Sequence, residues 1–288
     1  MRFTVKPLEP RFGAEVTGVD LAGPLGDNAF GRLRQAWLDA GGFMVVRGQR
    51  LTSEAHIQFS RRFGPLFGAP GEAPLQDTVG RYLHPKHPEI YRVSNKIEGG
   101  VAMGRARAGT YWHSDVSFRE RPAAASILNA IELPPTGGDT LFADMTAAYE
   151  ALSDAMKERL LPLRARHDWA VAAATQYAQP IVVGKDLEGG NRAVHPVVRT
   201  HAETGRKALY VNPGFTAGLD GFAAGESRAL LGFLYAHATR PEFVYRHRWR
   251  AGDVVLWDNR CLMHYAVADY GDQPRYMERT TVIGERPV

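Results

Sequence analysis

The sequence predicts an α+β fold, a β architecture decorated by helices. Helix-period patterns gather in the first half of the chain and strand-period patterns in the second. Nowhere do strands and helices alternate in the regular order that a parallel sheet requires. There are no internal repeats, no low-complexity stretch and no linker, so residues 1–288 read as one domain.

Each element has its own signal. Phe30, Leu33, Trp37 and Ala40 recur at helical spacing behind Asp27, an N-cap in residue type, and Gly41-Gly42 stops them. Phe43-Met44-Val45-Val46 reads as a buried strand. Thr52 or Ser53 opens a helix that reaches Phe63 and closes at Gly64-Pro65. Residues 66–110 are rich in Gly, Pro and His with little periodicity, and are expected to form an irregular active-site loop or lid. A strand is predicted over Ser126 to Ile131, then a turn through Pro134-Pro135-Thr136-Gly137-Gly138. Thr146 to Leu161 looks helical with a break near Ser153, and residues 168–192 give no clear signal. A strand over Ala208 to Val211 and a helix over Glu226 to Ala238 follow. Phe243, Tyr245, His247 and Trp249 then alternate, Gly252-Asp253 turns into Val254 to Trp257, and a last strand spans Arg275 to Ile283.

Composition narrows the chemistry. The chain is 44% hydrophobic, 23% charged and 10% aromatic, an ordinary globular balance. Its 35 basic against 31 acidic residues leave a net charge of +4 with no dense basic block, which argues against a nucleic-acid partner. No apolar run reaches the roughly 18 residues a membrane span needs, and Met1 to Pro10 has no signal-peptide character. Cys261 is the single cysteine, so an internal disulfide and a thiolate cluster are excluded, and a reducing, cytoplasmic setting is expected. Metal chemistry here must therefore draw on carboxylates and the 10 histidines. The glycine fingerprints of dinucleotide and phosphate loops, the G-x-S-x-G elbow and H-E-x-x-H are all absent from the sequence.

What remains is Tyr111-Trp112-His113-Ser114-Asp115-Val116-Ser117-Phe118. In extended backbone, residues i and i+2 point to one side, so His113 and Asp115 can offer a nitrogen and an oxygen to the same ion. Two histidines with one carboxylate make the facial triad of non-heme Fe(II) oxygenases, which leaves further coordination positions open. Chance alone supplies about half an H-x-D in a chain of this composition, so the tripeptide is weak by itself. His87-Pro88-Glu89 and His201-Ala202-Glu203 are weaker rivals, one in a Pro-rich loop and one running into a turn. Downstream, Trp257-Asp258-Asn259-Arg260 leads to His264, and Arg275 and Arg279 follow on an alternating strand. Those two arginines share a strand face about 13 Å apart at ~3.3 Å per residue. A guanidinium on an inner face is costly unless it meets an anion.

Taken together, His113-Ser114-Asp115, Gly137-Gly138-Asp139-Thr140, Trp257-Asp258-Asn259-Arg260, His264, Arg275 and Arg279 resemble the Fe(II)/2-oxoglutarate dioxygenases of the taurine / 2,4-dichlorophenoxyacetate dioxygenase family. The likeness runs from Gly18-Val19-Asp20-Leu21 to Thr281-Val282-Ile283-Gly284. His195-Pro196-Val197-Val198-Arg199-Thr200-His201 and Tyr210-Val211-Asn212-Pro213-Gly214-Phe215-Thr216 are similar to taurine dioxygenases in particular. The resemblance implies a double-stranded β-helix (jelly-roll) core with flanking helices. It implies Fe(II) on His113, Asp115 and His264, and 2-oxoglutarate with its distal carboxylate on Arg275 and Thr140. O2 would be the second co-substrate, and succinate and CO2 the products. It also places Arg279 and Phe215 against the primary substrate, and implies a homo-oligomer, dimer or tetramer.

The pattern departs from taurine dioxygenases in the substrate pocket. After Phe63-Gly64-Pro65-Leu66 the family's histidine aligns near Ala69, its tyrosine is missing, and its asparagine four residues before the first iron histidine falls on Gly109. The expected substrate is thus a small anion (sulfonate, sulfate ester or carboxylate) other than taurine, with His84 or His87 as replacement donors. An alternative keeps the cofactors but ends in desaturation or cyclisation of a natural-product or amino-acid-like substrate. A non-catalytic ligand-binding jelly roll is the remaining alternative. Trp112 and Trp257 are expected to pack behind the iron site, Cys261 to be a buried apolar filler, and His167 and His247 to be structural.

Overall fold

The structure, a computed structural model, describes residues 3–8, 12–75, 82–176 and 191–288. Its largest sheet has eight strands. From edge to edge they are Thr4–Pro7, Ala14–Thr17, Phe43–Val46, Val254–Asp258, Ala123–Glu132, Tyr276–Ile283, His87–Ser94 and Leu83–His84. A second sheet places Thr140–Asp144 between Val244–His247 and Leu262–Ala266.

The two sheets pack face to face through aromatic side chains. Phe43 of the large sheet lies 4.4 Å, ring centre to ring centre, from Phe142 of the small one, and Phe142 lies 5.7 Å from Trp257. Strand alternation explains why Phe43–Val46 is buried at all four positions. Phe43 and Val45 point into the core between the sheets, with Val255, Trp257 and Leu128. Met44 and Val46 point the other way, with Leu256 and Ile127, onto Leu33 and Trp37 of the helix Asp27–Asp39 and Ile57 and Phe59 of Ser53–Arg61. Apolar runs without alternation are what a sheet covered on both faces demands.

Several expected elements form as read. Thr52 caps Ser53–Arg61 by accepting from Ala55 N, and Ser153 caps Asp154–Leu160 after the break that follows Met145–Glu150. The helix Ala224–Ala238 and the strands at 254–258 and 276–283 also form. Other readings are corrected. Asp27 is the first helical residue and Gly26 holds the cap position; the Asp27 carboxylate pairs with Arg62 at 2.6 Å. Ala14–Thr17 pairs in parallel with Phe43–Val46 across the helix Asp27–Asp39, so one βαβ crossover exists where none was expected. Strands are not confined to the second half either. The 66–110 stretch contains His87–Ser94, an eight-residue strand inside the large sheet, and a short hairpin, Ile97–Glu98 with Val101–Ala102. Pro88 sits at the start of that strand, where a missing N–H is tolerated, and Ile90, Tyr91 and Val93 are its buried signal. Part of the silent 168–192 region is the helix Trp169–Gln176; residues 177–190 lie outside the described set, as do residues 76–81 of the expected lid. Among the described residues, no helix is long and apolar enough to cross a membrane.

Burial leaves three imidazoles neutral. It pushes the pKa of His56 and His195 down to about 4 and that of His167 to about 3. The unfolded chain takes up those protons below about pH 6.5, whereas the folded chain does not until about 4. Protons therefore favour unfolding, and stability should fall as pH drops from 6.5 towards 4. Denaturant titrations at pH 7 and pH 5 should show the lower midpoint at pH 5. His56→Gln, which can still donate to the Ile127 carbonyl (3.1 Å in the native chain), should narrow the gap. An undiminished gap would place the proton uptake elsewhere.

Candidate active site

The site is assembled where the metal-type motif meets the small sheet. His113 N donates to His264 O at 3.0 Å and His264 N to His113 O at 2.8 Å, an antiparallel bridge that sets two imidazoles side by side, 4.1 Å between ring centres. His113 Nδ1 lies 2.8 Å from Tyr111 O. A carbonyl can only accept, so Nδ1 carries the proton and the lone pair is on Nε2. Nε2 points at Asp115 Oδ1, 3.7 Å away, and His264 Nε2 is 4.0 Å from Oδ2. One ligand atom from each of the three buried residues falls within 4.8 Å of the others.

Asp115 is held from several sides. Its backbone N donates to Asn259 Oδ1 at 2.9 Å, and Ser126 Oγ donates to its Oδ2 at 2.7 Å. Asn259 Nδ2 reaches Ser126 Oγ at 3.0 Å, and Trp257 Nε1 donates to Asn259 Oδ1 at 3.1 Å. Oδ1 accepts from Arg279 Nη1 at 2.6 Å. Burial alone would raise this carboxyl's pKa, but the Arg279 guanidinium, helped by the Ser126 hydrogen bond, holds it below the usual carboxylate range. Burial also pushes His113 down and His264 well down. The donor set is thus two neutral imidazoles and one carboxylate, the protonation state that binds a divalent ion. Val116, next in the chain, has φ 56°, a strained value for a β-branched residue beside a candidate site.

The chamber is also lined by arginines. Arg275 is only 4% exposed, its Nε is buried without a hydrogen bond, and it makes no salt bridge among the described residues. Its backbone is fixed by Asn95 Oδ1 (2.9 Å to Arg275 N) and Ser94 Oγ (2.8 Å to Arg275 O). The strand hidden in the 66–110 stretch therefore seats this arginine. Tyr270 lies against the guanidinium at 5.6 Å, and Thr140 lines the same chamber. Gly138, at φ 73°, leaves the space: a Cβ there would come 3.3 Å from Tyr270 Cδ1 and 3.5 Å from Arg275 Nε.

All seven expected site residues, His113, Asp115, Thr140, Phe215, His264, Arg275 and Arg279, line this one chamber. Phe215 stands edge-on to His113 at 5.8 Å, its N–H held by Asn212 Oδ1 at 2.8 Å. Sequence reading missed Leu75, Tyr91, Val93, Tyr111, Leu128 and Trp169, which make an apolar and aromatic wall, and Arg105 beside them. Only Tyr111, flanking the H-x-D motif, carried a local signal. His84 and His87 do not line the chamber. They stack on each other at 4.8 Å, and His87 pairs with Glu54 at 3.1 Å, which corrects their expected role as substrate donors. Trp257 packs behind His264 at 4.8 Å, whereas Trp112 packs on Tyr265.

A second cluster, His201, Asp258 and Cys261, has metal-like spacing but the wrong protonation. His201 Nδ1 accepts from Glu203 N and Thr204 N, both at 3.2 Å, so Nε2 holds the proton and donates to Asp258 Oδ2 at 2.9 Å. Arg260 occupies the same carboxylate at 2.6 Å, and burial pushes the Cys261 thiol well up. This is a buried ion-pair network, with Cys261 the apolar filler expected.

Gly109, where the family's asparagine aligns, is packed on the first histidine. A Cβ at its φ of 75° would sit 2.9 Å from His113 Cε1. Gly109→Ala should therefore tilt the imidazole and weaken Fe(II) or Mn(II) binding by about tenfold, in line with ~1–3 kcal/mol of local strain. Metal titration followed calorimetrically reads this directly; native-like affinity would show that the ring has room to give.

Known proteins match along the whole chain. The family model described as "Taurine catabolism dioxygenase TauD, TfdA family" matches residues 4–281. An α-ketoglutarate-dependent 2,4-dichlorophenoxyacetate dioxygenase of Cupriavidus pinatubonensis is 38% identical over 281 residues, covering 92% of each chain. An α-ketoglutarate-dependent sulfate ester dioxygenase of Pseudomonas putida is 35% identical over 294 residues, covering 100% of this chain and 92% of its own. Among solved structures, AAD-2 in complex with Mn(II) and N-oxalylglycine superposes with a TM-score of 0.81 at 32% identity, covering 100% of this chain and 99% of its own. With the family motifs brought together in one chamber and this similarity along its length, the chain belongs to the TauD/TfdA dioxygenase family.

Proposed function

We propose that this enzyme oxidises a small organic anion with an apolar body, using Fe(II) held by His113, Asp115 and His264, and 2-oxoglutarate anchored by Arg275 and Thr140. As a family member the chain is an Fe(II)- and 2-oxoglutarate-dependent dioxygenase, an oxidoreductase. The observation that carries the site assignment is Arg275. A buried guanidinium without an acidic partner among the described residues, lining one chamber with a two-histidine, one-carboxylate set, fits a ligand that brings its own carboxylate. Fe(II) on His113, Asp115 and His264, with 2-oxoglutarate on Arg275 and Thr140, would supply an O2-derived oxidant for a C–H bond of the substrate, with succinate and CO2 as co-products.

The chain's own residues bind, aim and exclude water. Ser126, Asn259 and Arg279 hold the Asp115 carboxylate in place, and the Tyr111 carbonyl fixes the His113 tautomer. Arg279 spends one nitrogen on Asp115 and, among the described residues, keeps a buried Nε without a hydrogen bond, which leaves it a donor for the substrate's anionic group. The wall of Leu75, Tyr91, Val93, Tyr111, Leu128, Trp169 and Phe215 suits an aryl or alkyl body and offers little to the ammonium group of taurine. Relatives named for 2,4-dichlorophenoxyacetate, (S)-phenoxypropionate and sulfate esters support this reading. Hydroxylation at a carbon bearing an ether or sulfate oxygen yields a product that breaks down spontaneously. The second reading keeps the cofactors but ends in desaturation or cyclisation of a natural-product or amino-acid-like substrate, and a relative named pentalenolactone F synthase, 33% identical over 303 residues, supports it only in part.

We read the facing sheets as the double-stranded β-helix of a single domain, residues 1–288. The lid is narrowed to the segments that reach the chamber, around Leu75 and from Arg105 to Gly109. Assembly as a dimer or tetramer and a cytoplasmic location belong to the same proposal and rest on the resemblance and on the single reduced cysteine.

A succinate-release screen over aryloxyacetates, alkyl sulfates, alkyl sulfonates and taurine should give turnover on the first two classes and least on taurine. Arg279→Ala should weaken the apparent affinity for the accepted substrate by about tenfold or more, the loss expected for a charge-assisted contact. Saturation by the co-substrate should change little in the same variant. Equal weakening of both would mean that the two arginines are assigned the wrong way round.

A further inference from the structure

Trp249 lies outside the metal set, yet it touches a side chain that lines the chamber, Thr140. Its Nε1–H is 3.0 Å from Thr140 Oγ1. An indole N–H can only donate, so the Thr140 oxygen is the acceptor and one of its lone pairs is occupied. The hydroxyl keeps a single proton to give. Among the described residues Thr140 Oγ1 makes no other hydrogen bond, and the residue is 4% exposed. A buried O–H with no acceptor is costly, so the site favours a ligand that brings one.

The indole is itself held. His247 meets its face edge-on at 4.6 Å, His247 Nε2 is 3.2 Å from Asp253 Oδ2, and Arg47 Nη1 is 2.6 Å from the same oxygen. A chain of contacts from Arg47 through Asp253 and His247 thus fixes the ring that fixes the hydroxyl. Arg275, which lines the same chamber, supplies the charge. Resting on the reading of Arg275 and Thr140 as the co-substrate's anchors, we infer that Trp249 is a positioning residue for 2-oxoglutarate: it fills one Thr140 lone pair and turns the hydroxyl proton towards the ligand, and so favours a carboxylate over a neutral amide terminus. A carboxylate brings two acceptor oxygens for the hydroxyl and the Arg275 fork, whereas an amide brings one and turns its N–H2 towards a donor.

Equilibrium binding tests this without turnover. 2-Oxoglutarate, N-oxalylglycine and 2-oxoglutaramate would be titrated anaerobically into Mn(II)-loaded protein by calorimetry, for the native chain, Trp249→Phe, Thr140→Val and the double variant. Trp249→Phe keeps an aromatic ring and removes the N–H. Each single variant should weaken 2-oxoglutarate and N-oxalylglycine by about tenfold, the worth of one directed hydrogen bond to a charged group. The double variant should be no worse than Thr140→Val, because without the hydroxyl the indole has nothing to orient. Thr140→Ser should restore both the affinity and its dependence on Trp249. Discrimination against the amide should shrink in Trp249→Phe. Native affinity in Trp249→Phe, or losses that multiply in the double variant, would overturn the positioning role while leaving Thr140 as an anchor. Native affinity in Thr140→Val would overturn both, and would point to the underlying assignment of Thr140.

Discussion

The buried carboxylate of Asp115 is the constraint around which the rest of the site is arranged. It is 3% exposed, and an isolated charge at that depth would be expelled or neutralised. It stays ionised because the Arg279 guanidinium pairs with one of its oxygens and the Ser126 hydroxyl donates to the other. The imidazoles of His113 and His264 are tied by their backbones into one bridge, so the three side chains cannot be placed independently. Removing any one of them leaves an incomplete donor set, and removing Arg279 strips the carboxylate of its charge partner.

The fold supplies this arrangement by covering the large sheet on both faces. Helices Asp27–Asp39 and Ser53–Arg61 close one side, and the small sheet closes the other. The chamber opens at the seam between the sheets. His113 reaches it from the loop before Ala123–Glu132, His264 from the small sheet, and Arg275 and Arg279 from the start and first half of Tyr276–Ile283. The two arginines and the metal-type donors thus come from different segments and meet at Arg279 and Asp115.

Much of this was legible in the chain, and the boundary is physical. Motifs with local spacing could be read: His113 with Asp115 two residues on, and Arg275 with Arg279 on one strand face. His264 was legible only through its motif, because it stands 151 residues from His113 in the sequence and only strand pairing brings them together. The strand His87–Ser94 was hidden by Pro88 and by flanking histidines that look like loop, yet it anchors Arg275 through Ser94 and Asn95. The substrate wall was not legible either. Leu75, Leu128 and Trp169 are ordinary apolar residues in the sequence, and no local rule separates a chamber wall from a core. Trp249 read as one more member of an alternating strand; its meaning lies in a single atom, Nε1, and the hydroxyl it meets.

The central claim is that one chamber holds a divalent metal and a 2-oxo acid together. The most direct measurement is the visible absorption of the protein mixed with Fe(II) and 2-oxoglutarate in the absence of O2. A metal-to-ligand charge-transfer band should appear with the native chain, vanish in His113→Ala, and require much more 2-oxoglutarate in Arg275→Ala. No band with the native chain, or an unchanged band and unchanged affinity in both variants, would contradict the account.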